Sequence, residues 1–254
     1  MINPNLSPTP ILDFEHPSIQ GLIAERGWLR LDLVHRIGAA YDYVRDEIAF
    51  GYNVSDELPA SRVLADGRGQ CNTKTSLLMA LLRGLGVPCR FHGATIHKEL
   101  QKGVVEGFFY RLAPEDIIHS WAEVEFGGRW VGLEGVILDR NYLDGLRMDI
   151  AKGGGEFLGY GAGTEDIENP AIEWCGSDTA IQSTGINHDF GLYDDPDAFY
   201  AEHGVNLSGL KGFLFRNLIR HRMNRRVAAI RERAGVRTTG SLARPSRLSL
   251  DRSE

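Results

Sequence analysis

An α+β fold is predicted, in which a helix that opens on a cysteine packs on an antiparallel sheet and a helical segment extends the C-terminal side. Three observations predict it. Cys71 follows GRGQ and precedes Leu77, Leu78, Leu81, Leu82 and Leu85, the spacing of one buried helical face. In IIHSWAEVEF, residues 117–126, Ile118, Ala122, Val124 and Phe126 alternate with His119, Trp121, Glu123 and Glu125, and Gly127-Gly128 then leads into RWVGLE, the pattern of a hairpin. From Leu207 to Ile230, Leu207, Leu210, Leu214 and Leu218 mark an apolar stripe on a helix otherwise rich in arginine.

The elements follow in chain order. Val34, Ile37, Tyr41, Val44 and Ile48 recur at steps of three and four, which predicts a helix over about 28–49. Residues 51–70 are rich in turn formers and read as a loop that ends just before Cys71. Gly84, Gly86 and Pro88 stop the cysteine-led helix. Residues 89–97 read as a strand, and so does the stretch around 104–111. Residues 140–190 are Gly- and Asp-rich and read as irregular loop. GGG at 153–155 lacks the Lys-Ser/Thr ending of a phosphate loop, and GYGAG at 159–163 follows no convincing strand. The division expected is an N-terminal extension (1–27), a catalytic core (28–140), a Gly/Asp-rich extension able to cover the site (141–205), a basic helix (206–234) and a disordered tail (235–254).

At 254 residues with 43% hydrophobic and 24% charged side chains, the chain can bury a sizeable core without disulfides. Its net charge of −6 conceals a division: residues 206–254 carry 12 Lys and Arg against 3 acids, so the remainder holds −15. That acidic body argues against a nucleic-acid partner. The basic helix is expected to pack on the body, its arginines solvated or paired with acids such as Asp194, Asp195 and Asp197; a membrane-surface or partner helix is the alternative. With no signal-like segment at the N-terminus and no long apolar run, the chain reads as cytoplasmic. Cys71, Cys89 and Cys175 have no CxxC spacing, and the histidines have no compact ligand spacing, so neither disulfide, metal nor cofactor is expected. Cys89 and Cys175 read as small packed residues.

Cys71 is the candidate nucleophile. A thiol in the first turn of a helix faces free N–H groups and the positive end of the dipole, which together favour the thiolate and can hold an oxyanion. If Gly127-Gly128 are the turn, Phe126 opposes Arg129, Glu125 opposes Trp130, Trp121 opposes Glu134 and His119 opposes Val136. His119 and Glu134 then share a face as diagonal neighbours ~7–8 Å apart at the backbone, a gap a glutamate can span. A carboxylate so placed fixes the imidazole tautomer, and the imidazole can activate a thiol. Asp116, Glu123 and Asp139 are alternative acids, and Trp121 is a candidate wall of the substrate site. A register slip of one residue would separate His119 from Glu134.

The segments PASRVLADGRGQCNTKTSLLMALLRGLGVPCRF and HSWAEVEFGGRWVGLE resemble the transglutaminase-like superfamily, over about residues 34–140. The resemblance implies a papain-like core with catalytic Cys71, His119 and an acidic third member, here Glu134 followed by Gly135 where the family commonly has Asp, often before Pro. It implies attack by Cys71 on an amide of a peptide, protein or small substrate, an acyl-thioester, and release to water or an amine; calcium is not implied. The alternatives are arylamine acetyl transfer and a noncatalytic module that binds partners through the basic helix.

Overall fold

The computed structural model describes residues 3–150, 156–206 and 209–241. Helices α1 (Pro17–Arg26) and α2 (Leu33–Asp42) lead, through a π-turn at Tyr43–Glu47, to the short strand β1 (Ala49–Phe50). Helix α3 (Ala60–Asp66), strand β2 (Arg68–Gly69) and helix α4 (Cys71–Gly84) follow, then β3 (Cys89–His97), α5 (Gly107–Leu112), β4 (Asp116–Phe126) and β5 (Arg129–Gly132). The chain continues through α6 (Arg140–Asp149), β6 (Phe157–Gly159), β7 (Ala162–Thr164), β8 (Ile186–Tyr193), α7 (Pro196–His203), α8 (Gly209–Leu214) and α9 (Arg220–Ser241). Strands β5, β4, β3 and β8 form, in that order, one antiparallel sheet, and α4 packs against its two central strands. This is the predicted α+β arrangement.

The hairpin has the predicted register at its turn. Phe126 pairs with Arg129 and Glu125 with Trp130, while Gly127 and Gly128 take φ of 62° and 77°, the left-handed pair that a two-residue turn of matching twist requires. The ladder stops at Glu123–Gly132, and Glu134–Val136 turn into a 3₁₀ segment, so Trp121 and His119 have no partners across β5.

Helix α4 is buried from Cys71 to Arg83, its polar first turns included. That is tolerable because each polar side chain is hydrogen-bonded. Thr73 donates to Asn53 Oδ1 at 2.7 Å, Thr75 to the Ser120 carbonyl at 3.1 Å, and Asn72 accepts from Ser120 Oγ at 2.9 Å. These bonds pin the start of α4 to the middle of β4. Lys74 is also fully buried and donates to the carbonyls of Arg45 (2.9 Å) and Ile137 (3.0 Å). Burial pulls its ammonium down to about 7, although Asp139 and Asp46 favour the charge.

A lysine whose folded value lies below its unfolded one binds fewer protons when folded, so stability rises with pH from about 7 towards 10.5. The difference in unfolding free energy between the wild type and Lys74→Met is therefore expected to climb by up to ~1.4 kcal/mol per pH unit in that window. Urea unfolding of both proteins at a series of pH values measures it, and a flat difference would show that Lys74 stays charged.

Several sequence expectations are corrected. PASRVLAD, within the expected loop 51–70, forms α3, because Pro59 pre-sets the first turn and Ala60 and Val63 are buried. The stretch near 104–111 is the helix α5, not a strand. Within 140–190, α6 is capped by Asp139 accepting from the Tyr142 N–H at 2.8 Å, and GYGAG makes the β6–β7 turn. The GGG at 153–155 lies outside the described residues. The C-terminal helix buries Met223, Val227 and Ile230, whereas Leu214 and Leu218 are exposed. Two of its arginines dock away from Asp194, Asp195 and Asp197: Arg231 binds buried Asp139 at 2.6 Å and the Phe50 carbonyl at 2.8 Å, and Arg226 faces Glu106 at 3.5 Å. Helix α9 continues to Ser241, past the expected boundary at 235, and residues 242–254 of the expected tail lie outside the described residues. Among the described residues no helix is long and apolar enough to cross a membrane.

Candidate active site

Cys71 occupies the first position of α4, at the wall of a cavity of about 400 Å³. Its side chain is almost wholly buried, 8% exposed. Burial pushes the thiol well above its ordinary range, and the carboxylates of Asp56 and Glu134 push the same way; the N–H groups of Asn72 and Ser120 favour the thiolate but do not prevail. The lowered value expected from the helix N-terminus alone is thus overturned, because water is withdrawn from the sulfur and two acids lie near it. Ionisation of this thiol calls for a base.

His119 lies next to Ser120 in the middle of β4 and is fully buried. Its Nε2 stands 3.3 Å from Oε1 of Glu134, and its Nδ1 has no hydrogen-bond partner among the described residues. The 3.3 Å contact has the length of an ion pair but not the alignment of a hydrogen bond. Of the four candidate acids only Glu134 meets His119. Glu123 is held by Arg90 and His92, Asp139 by Arg231, and Asp116 accepts from Asn187.

The segment after residue 140 fixes this carboxylate, which sequence reading did not anticipate. The N–H groups of Ile181 and Gln182 both donate to Glu134, the latter at 2.9 Å. The approach requires Gly135: a Cβ there would lie 2.7 Å from Tyr41 Oη, 2.9 Å from Thr179 and 3.1 Å from the Ile172 backbone. Ile172 is gripped in turn, its carbonyl accepting from Tyr41 (2.9 Å) and from buried Arg45 (2.7 Å). Only the unusual Glu-Gly pair hinted at this clamp.

The remaining candidates take other places. Trp121 does not line the cavity; its ring stacks on His92 at 4.0 Å and lies 5.8 Å from His119, so it packs beside His119 rather than at the cavity wall. His92 bonds Glu123 and Asp189, each at 2.8 Å, and those bonds hold its imidazolium above the usual range against the opposing effect of burial. Cys89 is buried, and burial pushes its thiol up to about 11, as suits a packed residue; Cys175 is exposed, contrary to expectation. Among the described residues no three His, Cys, Asp or Glu side chains are grouped to share a metal ion. The cavity walls are mainly apolar, with Phe109 and Leu112 of α5 on one side and Phe215 and Ile219 before α9 on another; Gln182 and Asn206 also reach it.

No curated protein matches the sequence. A solved structure described as a "putative cysteine protease" from Cytophaga hutchinsonii aligns with 80% of this chain and 48% of its own, at TM-score 0.44 and 14% identity. This chain therefore spans about half the length of that protein. Residues 22–134 match the family model described as the transglutaminase-like superfamily, a span that contains Cys71 and His119 and closes on Glu134.

Proposed function

We propose that the chain is a cysteine-dependent hydrolase or acyltransferase that opens an amide bond through an acyl-thioester on Cys71. The observation that carries this reading is the buried, unpartnered Nδ1 of His119, whose Nε2 faces Glu134, on the residue preceding the Ser120 N–H that faces the Cys71 sulfur. With its thiol pushed up by burial, Cys71 acts as a thiol that loses its proton during attack. His119 Nδ1 takes the S–H proton as sulfur bonds to the carbonyl carbon, and Glu134 supports the imidazolium. The Cys71 N–H, in the first helical turn and so without an intrahelical acceptor, is suited to hold the oxyanion. Collapse breaks the C–N bond, and the leaving amine departs with the proton from His119. Water or an amine then gives a proton to His119 as it bonds to the acyl carbon, the C–S bond breaks, and His119 returns the proton to sulfur, which restores the thiol. The substrates that fit are peptides, proteins or small amides.

Incubation with an unbiased peptide library, acid quench and intact mass measurement test the reading. An acyl adduct on Cys71 that hydroxylamine removes, absent in Cys71→Ala, is expected. Identical digests from both proteins with no adduct would refute it.

A further inference from the structure

Asp56 stands at the cavity wall and is buried, 7% exposed. The other charged groups of the lining, Glu57 and Arg216, are exposed. Asp56 is held by both chain neighbours of the nucleophile: Oδ1 accepts from Gln70 Nε2 at 3.0 Å and Asn72 Nδ2 at 3.1 Å, while Oδ2 accepts from Asn206 Nδ2 at 3.0 Å. All three donors are neutral amides. They fill three of the roughly four acceptor positions of a carboxylate and leave one on Oδ2.

A buried charge without a counter-charge is costly, and this one also works against the thiolate that catalysis requires. A scaffold that merely had to orient Gln70 and Asn72 could use an asparagine or a glutamine. Both costs vanish when a cation enters the cavity, since it neutralises the carboxylate and lifts its opposition to ionisation of the neighbouring sulfur. We infer that Asp56 is a specificity-determining residue that receives a protonated amine of the acyl donor, close to the scissile carbonyl, as the first residue of an unblocked peptide would present it. The apolar walls at Phe109, Leu112, Phe215 and Ile219 then take the uncharged remainder. The inference rests on Cys71 being the thiol that accepts the acyl group.

The test reads charge preference at Cys71 and needs no known substrate. In a Cys175→Ser background, the rates at which 2-aminoethyl and methyl methanethiosulfonate modify the Cys71 peptide are measured by mass spectrometry, each normalised to glutathione. The cationic reagent is expected to react about tenfold faster than the neutral one, as an opposite charge nearby in a poorly solvated site dictates. Asp56→Asn should abolish that preference and Glu57→Gln should retain it. If Asp56→Asn does not fold, persistence of the wild-type ratio in both Glu57→Gln and Glu134→Gln assigns the preference to Asp56, because Glu134 is the other buried carboxylate that acts on the sulfur. Equal normalised rates in the wild type, or a preference lost in Glu57→Gln, would overturn the assignment. A thiol that shows the charge preference but forms no acyl adduct with peptides would instead count against the proposed reaction.

Discussion

Replacement of His119 by Gln is expected to lower turnover about 10⁴-fold, the upper end of what a positioned acid–base contributes. In the proposed reaction the same group takes the thiol proton and later protonates the leaving amine, so both halves would suffer. A second readout separates this from a packing defect. In a Cys175→Ser background, wild-type Cys71 should alkylate with iodoacetamide near neutrality because His119 can accept its proton. In His119→Gln it should react only at alkaline pH, since burial and the charges of Asp56 and Glu134 push the thiol up and the Asn72 and Ser120 N–H groups do not outweigh them. The variant also tests whether the unpartnered Nδ1 faces the sulfur in solution. An unchanged alkylation profile in a folded His119→Gln protein would remove His119 from the mechanism.

Glu134→Gln is expected to lower kcat by about 10³–10⁴-fold with little change in KM, through the tautomer of the base. Oε2 of the wild-type carboxylate accepts from the Ile181 N–H, so the amide oxygen of the variant stays there and its NH₂ replaces Oε1. That NH₂ points at His119 Nε2, which must then accept. The ring proton moves to Nδ1, where the proton of Cys71 was to go. The substituted amide also faces the Gln182 N–H donor-to-donor and leaves it only the 3.1 Å bond to the retained oxygen, so stability should fall by about 1 kcal/mol. Steady-state kinetics and thermal unfolding together check this, and wild-type kcat in Glu134→Gln would show that another group orients the imidazole.

The two largest effects therefore fall on residues whose placement was legible to different degrees. Cys71, the leucine face behind it and the Gly127-Gly128 turn are local: helix and strand periods, and the need for positive φ at both turn residues, are written in adjacent positions. The turn also set the register that brought His119 and Glu134 to one side, although the ladder ends before reaching them. What misled was locally ambiguous. Residues 60–66 are short and surrounded by turn formers, and residues 140–149 form a short helix whose apolar face is three side chains, Tyr142, Leu143 and Leu146, set among polar residues and packed beside α9.

By itself the sequence determined the α+β class, the thiol at a helix start and the histidine-bearing strand with its carboxylate. Only the tertiary structure decided what those groups experience. It buried the thiol and set Asp56 beside it, which reversed the expected direction of its ionisation. It brought Ile181 and Gln182, nearly 50 residues further along, onto Glu134. It turned Arg231 of the last helix towards Asp139 instead of the acids at 194–197. The physical reason is common to all three: hydrophobic and turn patterns act over a few residues, whereas desolvation, charge neighbours and backbone donors depend on which distant segments the folded chain packs together.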